Sequence, residues 1–226
     1  LLVQATLSYA QKHSLTCGGI ALVESFNTLN PMPGAHGLNN WYTRGGATYR
    51  GLDNGSNANS GAYSYGSGFG EYAFGIHSTN MVEEYVGTIF VNNMSVPIQM
   101  FDVQCFYELW RKSQNLNVDE NVVFEYRIAP NINDIDGPGW IQVPGMTYTS
   151  STQPGCTMNG GAPLDGNQPA NRTFARDIID LTATPVLVGQ NIAIRWRQTF
   201  ASCNNNGVGI DDVRLNFYTA GIAENI

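Results

Sequence analysis

The chain has 226 residues, 42% of them hydrophobic and 11% aromatic, enough apolar surface to bury one sandwich-sized core. Only 13% are charged and the net charge is -7, which argues against a nucleic-acid partner bound through counterion release. No apolar run approaches the roughly 20 residues that span a bilayer, so no membrane span is expected.

The opening stretch, LLVQATLSYA, alternates strictly, with Leu1, Val3, Ala5, Leu7 and Tyr9 on one face of an extended segment. Such a strand completes a sheet, either its own as an edge strand or that of a neighbouring copy by strand addition. Addition to a neighbour is head-to-tail and generates filaments. The same stretch, ending in Ser8-Tyr9-Ala10, also has the form of the tail of a signal peptide. Residues 1–19 are therefore set apart as an N-terminal strand segment, and residues 20–226 form one β-sandwich domain.

From residue 20 onward, short alternating segments are divided by turn-rich ones, the pattern of an all-β antiparallel sandwich. Strands are expected at 20–26, 72–76, 86–92, 98–112, 121–128, 140–144, 174–182, 191–200 and 213–219. Helix signals are almost absent. In IAIRWR, Ile192, Ile194 and Trp196 share one face while Ala193, Arg195 and Arg197 share the other, which makes Trp196 a core residue. The stretch from Gly45 to Gly70 is rich in Gly, Ser and Asn, yet Tyr49, Tyr63, Tyr65 and Phe69 are threaded through it. Flexible linkers rarely carry so many rings, so a long structured loop is expected there.

Cys17, Cys105, Cys156 and Cys203 show no C-x-x-C spacing, which does not support a zinc ribbon or thioredoxin motif. Cys156 with Cys203 is the preferred disulfide, because both lie in Gly/Asn-rich loops. Cys105, inside a strand, reads as a buried thiol. A disulfide implies an oxidising, extracellular compartment.

The stretch NNNGVGIDDVRLNF raises the main chemical question. Strict alternation places Asp211 on the face of Val213, Leu215 and Phe217, where an unpaired carboxylate is costly. Glu24 has the parity of Ile20, Leu22 and Phe26 and also points inward. A calcium ion on Glu24 and Asp211, with Asp165 of LDGN as a lesser ligand, would staple the first and last strands. Backbone amides, or an arginine such as Arg44 or Arg50, would neutralise each carboxylate without a metal. The stretch NDIDGPGW lacks the first and last EF-hand ligands, since Ile132 and Val143 stand there, and is expected to be a hairpin turn.

No catalytic constellation stands out. His13, His36 and His77 lie in no metal-ligating spacing, there is no G-x-S-x-G elbow, and nothing pairs Glu71, Glu83, Glu84 and Glu108. Trp41, Tyr42, Tyr63, Tyr65 and Trp140 sit in polar segments and are the candidate glycan- or partner-binding rings. Alternatively they cover the sandwich ends.

The strand IDDVRLNF, the early VESF, the internal LDGN and the IAIRWR strand resemble the jelly-roll modules of secreted bacterial proteins. Those include calcium-stapled carbohydrate-binding modules and related domains appended to extracellular nucleases and surface proteins. The resemblance covers about residues 20–218. It implies a jelly-roll β-sandwich, a structural Ca2+ on Glu24 and Asp211, and an extracellular place; the N-terminal strand with Cys17 has no counterpart in it. The expected function is a non-catalytic structural or adhesive subunit at the bacterial surface that polymerises with copies of itself. The alternative is a calcium-stabilised carbohydrate-binding module with a polysaccharide partner.

Overall fold

The structure, a computed structural model, describes residues 11–68, 70–79, 82–114, 119–152, 155, 160–199 and 203–220. In chain order the strands are β1 (His13–Leu15), β2 (Gly19–Glu24), β3 (Trp41–Thr43), β4 (Tyr49–Asp53), β5 (Gly61–Tyr65), β6 (Ala73–His77) and β7 (Glu84–Asn92). There follow β8 (Ile98–Ser113), β9 (Glu120–Ala129), β10 (Ile141–Ser150), β11 (Gly161–Pro163), β12 (Arg172–Asp180), β13 (Asn191–Gln198) and β14 (Gly207–Thr219).

One sheet runs β1-β7-β13-β9-β10, with β3 also against β7. The other runs β11-β8-β14-β6-β5-β4, with β12 beside β8 and β2 beside β14. Pairing is antiparallel except for β1 with β7 and β4 with β5. Counted from β6 and leaving out short β11, eight successive strands pair first to eighth to third to sixth, and second to seventh to fourth to fifth. That connectivity is a jelly roll, which interleaves two Greek keys so that each sheet buries one face against the other.

Alternation supplies the core. Phe101, Val103, Cys105 and Tyr107 of β8, Phe124 and Tyr126 of β9, and Ile192, Ile194 and Trp196 of β13 all lie in it. Trp196 meets the edge of Phe124 at 5.0 Å and stacks on Trp41 at 6.1 Å. Cys105 is a buried free thiol, and burial pushes its pKa up to about 12. Cys17 is the exposed free thiol. Cys156 lies outside the described residues, and so therefore does its pairing with Cys203.

Three differences from the sequence expectation have local causes. First, the stretch from Gly45 to Gly70 is no single loop, because it contains β4 and β5. Every residue of β5 is buried, so no apolar-polar alternation marks it as a strand. Second, Trp41, Tyr63 and Tyr65 are buried rather than exposed. Tyr63 and Tyr65 stack at 5.1 Å and, with Ala73 and Trp110, form a second apolar cluster under the loop after β4. Gly55 in that loop has φ +86°, and a Cβ there would lie 1.8 Å from the Trp110 carbonyl oxygen, so only glycine lets the loop close down. Third, β14 does not alternate throughout. Its register against β8 slips between Asp211 and Arg214, and Asp212 has φ 47°. This bulge inserts one residue and reverses parity: Val208 and Ile210 face the core before it, Val213, Leu215 and Phe217 after it. Asp211 therefore sits on the outer face, opposite Phe106, and not beside Val213.

The assembly-strand residues Leu1, Val3, Ala5, Leu7 and Tyr9 lie outside the described residues.

Candidate functional site: the outer face of the larger sheet

Strands β12, β8, β14 and β2 lie side by side and present one face away from the core. Their registers set the outward side chains in transverse rows: Phe174, Phe106, Asp211; then Arg176, Gln104, Arg214, Val23; then Ile178, Asp102, Asn216. With neighbouring strands about 4.8 Å apart, the row from Arg176 to Val23 spans about 14 Å. The face is uncovered, since Val23 is 68% exposed, Phe174 53% and Ile178 43%. The Phe174 ring leans on Phe106, centroids 5.3 Å apart.

At one end of this face Arg172, the first residue of β12, gathers three carboxylates. Its Nε lies 2.9 Å from Glu108 Oε1, and its Nη2 donates to Asp211 Oδ2 at 3.0 Å and Asp212 Oδ2 at 2.7 Å. Its guanidinium lies 3.9 Å over the Phe106 ring, and Trp110 Nε1 donates to Glu108 Oε2 at 3.0 Å. Glu108 and Asp211 are buried. One cation thus faces three acids. Burial, with the charges of Glu108 and Asp212 behind it, pushes Asp211 up to about 8, against the opposing pull of the Asp212 amide and Arg172. Burial likewise raises Glu108. Arg172 loses by burial but gains more from its acids, and ends above its ordinary value.

A pH dependence follows. The folded pKa of Asp211 lies above the unfolded one, so its contribution to stability is complete in acid and is lost as pH rises through about 8. A loss on the order of 2 kcal/mol between pH 5 and pH 8 is expected, with the three acids sharing the effect. Calorimetric melting of wild type and Asp211→Asn across this range checks it: the variant flattens the profile. A flat wild-type profile would show Asp211 ionised throughout.

The residues expected to hold calcium are not gathered. Among the described residues no group of three or more His, Cys, Asp or Glu is placed to hold a metal ion. Glu24 pairs with Val213 on the inner side of the sheet, and its Oε1 accepts the Phe26 amide at 2.9 Å. The bulge turns Asp211 to the other side. Asp165 closes a turn, its carboxylate accepting the Asn167 amide and the Gln168 side chain. The arginine at Asp211 is Arg172, while Arg44 pairs with Glu84 and Arg50 donates to the Ser60 carbonyl.

Of the candidate rings, Tyr42 and Trp140 are only partly buried, over a third apolar cluster on the outside of the smaller sheet. Trp140 carries the Arg195 guanidinium at 4.1 Å and that of Arg127 at 4.9 Å. The acidic stretch before Trp140 is a turn, as expected, and Arg127 fills its interior by donating to the carbonyls of Asp134, Asp136 and Pro138.

Sequence reasoning missed Arg172, Phe106, Phe174, Gln104 and Arg214. In RTFARDIID the two faces are both mixed, so alternation alone does not tell outer from inner.

Fold and face together define a jelly-roll β-sandwich with one open, aromatic and polar sheet surface. No protein-family model and no curated protein matches the chain. Similar solved structures include the CBM22-1 xylan-binding domain from Paenibacillus barcinonensis, 10% identical over 91% of this chain and 99% of that one, TM-score 0.43. The K2 cleaved adhesin domain of Lys-gingipain is 15% identical over 86% and 96%, TM-score 0.38. A mannan-recognising carbohydrate-binding module, TmCBM27, is 13% identical over 88% and 98%, TM-score 0.37. At these scores the likeness assigns this chain no ligand.

Proposed function

We propose that this chain is a non-catalytic carbohydrate-binding module of an extracellular protein, and that it holds a polysaccharide on the outer face of β12, β8, β14 and β2. The observation that carries the proposal is Phe174, an exposed ring backed by Phe106 on a face that also presents the amide of Gln104 and the guanidinium groups of Arg176 and Arg214. A sugar has apolar ring faces and hydroxyl edges, and such a surface answers both.

Affinity electrophoresis tests this, with xylan and mannan, named for two of the similar structures, among the first polymers. Phe174→Ala is expected to weaken binding at least about tenfold, which is about 1.4 kcal/mol, while leaving the melting temperature nearly unchanged, as for most surface positions. A chain that binds no polysaccharide, or a variant that binds as well as wild type, overturns the proposal. If it instead runs as a polymer that deletion of residues 1–10 dissolves, self-assembly is the function. Melting with a chelator separates the two ways of neutralising Asp211: Arg172 predicts no change, and a fall of several degrees restores the ion.

A further inference from the structure

We infer that this face selects polysaccharides bearing carboxylates, those built on uronic acids, and that Arg214 is the group that takes the carboxylate; the inference rests on the carbohydrate-binding function proposed above. Three arginines reach the face, and two are satisfied within the protein. Arg172 has its three acids. Arg176 holds Asp102 with both arms of its fork, Nε to Oδ1 at 3.1 Å and Nη2 to Oδ2 at 2.9 Å. Asp102 also accepts Asn216 Nδ2 at 3.2 Å. Its charge is already matched by Arg176, and it makes no ion pair with Arg214.

Arg214 stands between Val23 on β2 and Gln104 on β8, neither of which carries charge. Among the described residues it has no ion pair, and its Nε is buried without a hydrogen-bond partner. That atom is closed off from solvent, so a partner from outside would meet the terminal nitrogens of this half-buried, permanent cation, whose charge no neighbour in its row cancels. A carboxylate suits it, because its two oxygens match the pair of terminal N–H groups and its charge cancels the cation. A sugar hydroxyl satisfies one N–H and leaves the charge.

The same geometry asks for a polymer. Arg214 lies two strands across and one row along from Phe174, about 12 Å on sheet spacings, which is longer than a single sugar ring. A chain crossing the face diagonally stacks one sugar on Phe174 and brings the carboxylate of a later one to Arg214. The charge balance of the surroundings supports selection: with Arg172 and Arg176 neutralised, Arg214 is the cation left uncompensated there among the described residues.

Titration calorimetry of the full chain tests this with polygalacturonate and alginate, with the same polymers after reduction of their carboxylates to hydroxymethyl groups, and with poly-L-glutamate. At least one acidic polysaccharide is expected to bind tenfold or more tighter than its reduced form. Arg214→Gln should remove that preference, weakening binding of the acidic form by about tenfold or more beyond any loss shared with the reduced form, and Arg214→Lys should retain part of it. Melting curves confirm that the variants fold. Equal affinity for acidic and reduced polymers, or a preference that survives Arg214→Gln, overturns the uronic-acid inference and leaves carbohydrate binding standing. Binding of poly-L-glutamate alone makes the face a site for acidic peptides and overturns both; binding of none of these polymers overturns the uronic-acid inference, while xylan and mannan decide carbohydrate binding separately.

Discussion

Replacing Arg172 by methionine is expected to lower stability by about 3–5 kcal/mol at pH 8, and by much less at pH 5. The guanidinium is the shared partner of Glu108, Asp211 and Asp212. Glu108 and Asp211 are buried, so removing the cation leaves charge in a poorly hydrated place. Asp211, its pKa raised to about 8, is protonated at pH 5 and takes up a proton at pH 8 once the cation is gone. The charge stranded at pH 8 is then chiefly that of Glu108, which burial also pushes up, so that it is more easily neutralised at pH 5. Adding Glu108→Gln to Arg172→Met should therefore recover a large part of the loss at pH 8 and less at pH 5. Urea unfolding of the four proteins at both pH values measures it. An equal loss at both pH values would mean that Arg172 stabilises through packing on Phe106 and not through charge.

The second large effect belongs to the core. Trp196→Ala should cost about 3–5 kcal/mol, the usual loss for a buried large ring, because Trp196 is fully buried against Phe124 and Trp41. Trp41→Ala should cost a similar amount, and since the two rings stack, the double variant should lose less than the sum. Phe174→Ala, an exposed ring, is expected to change stability by at most about 0.5 kcal/mol. Denaturant unfolding compares them directly. If Trp41→Ala proves as mild as Phe174→Ala, Trp41 is a surface ring and its place in the core is wrong.

These contrasts mark where local pattern suffices. IAIRWR placed Trp196 in the core and Arg195 on the other face because its neighbours alternate cleanly, and the structure agrees in having Trp196 in the core cluster and Arg195 paired with Glu125 at 2.7 Å. GAYSY offered no such contrast, because β5 is buried on both sides. Trp41 sits in a polar segment, yet β3 lays it against β7 and into the core.

By itself the sequence determined the all-β class, most of the long strands and the buried thiol of Cys105, because a period of two is a local property of the chain. Only the tertiary structure decided the face on which Asp211 stands and the partner it meets. One extra residue at Asp212 reverses the parity of everything before it. Its arginine then comes from a strand 39 residues away in sequence, a pairing set by sheet register that composition and spacing do not encode.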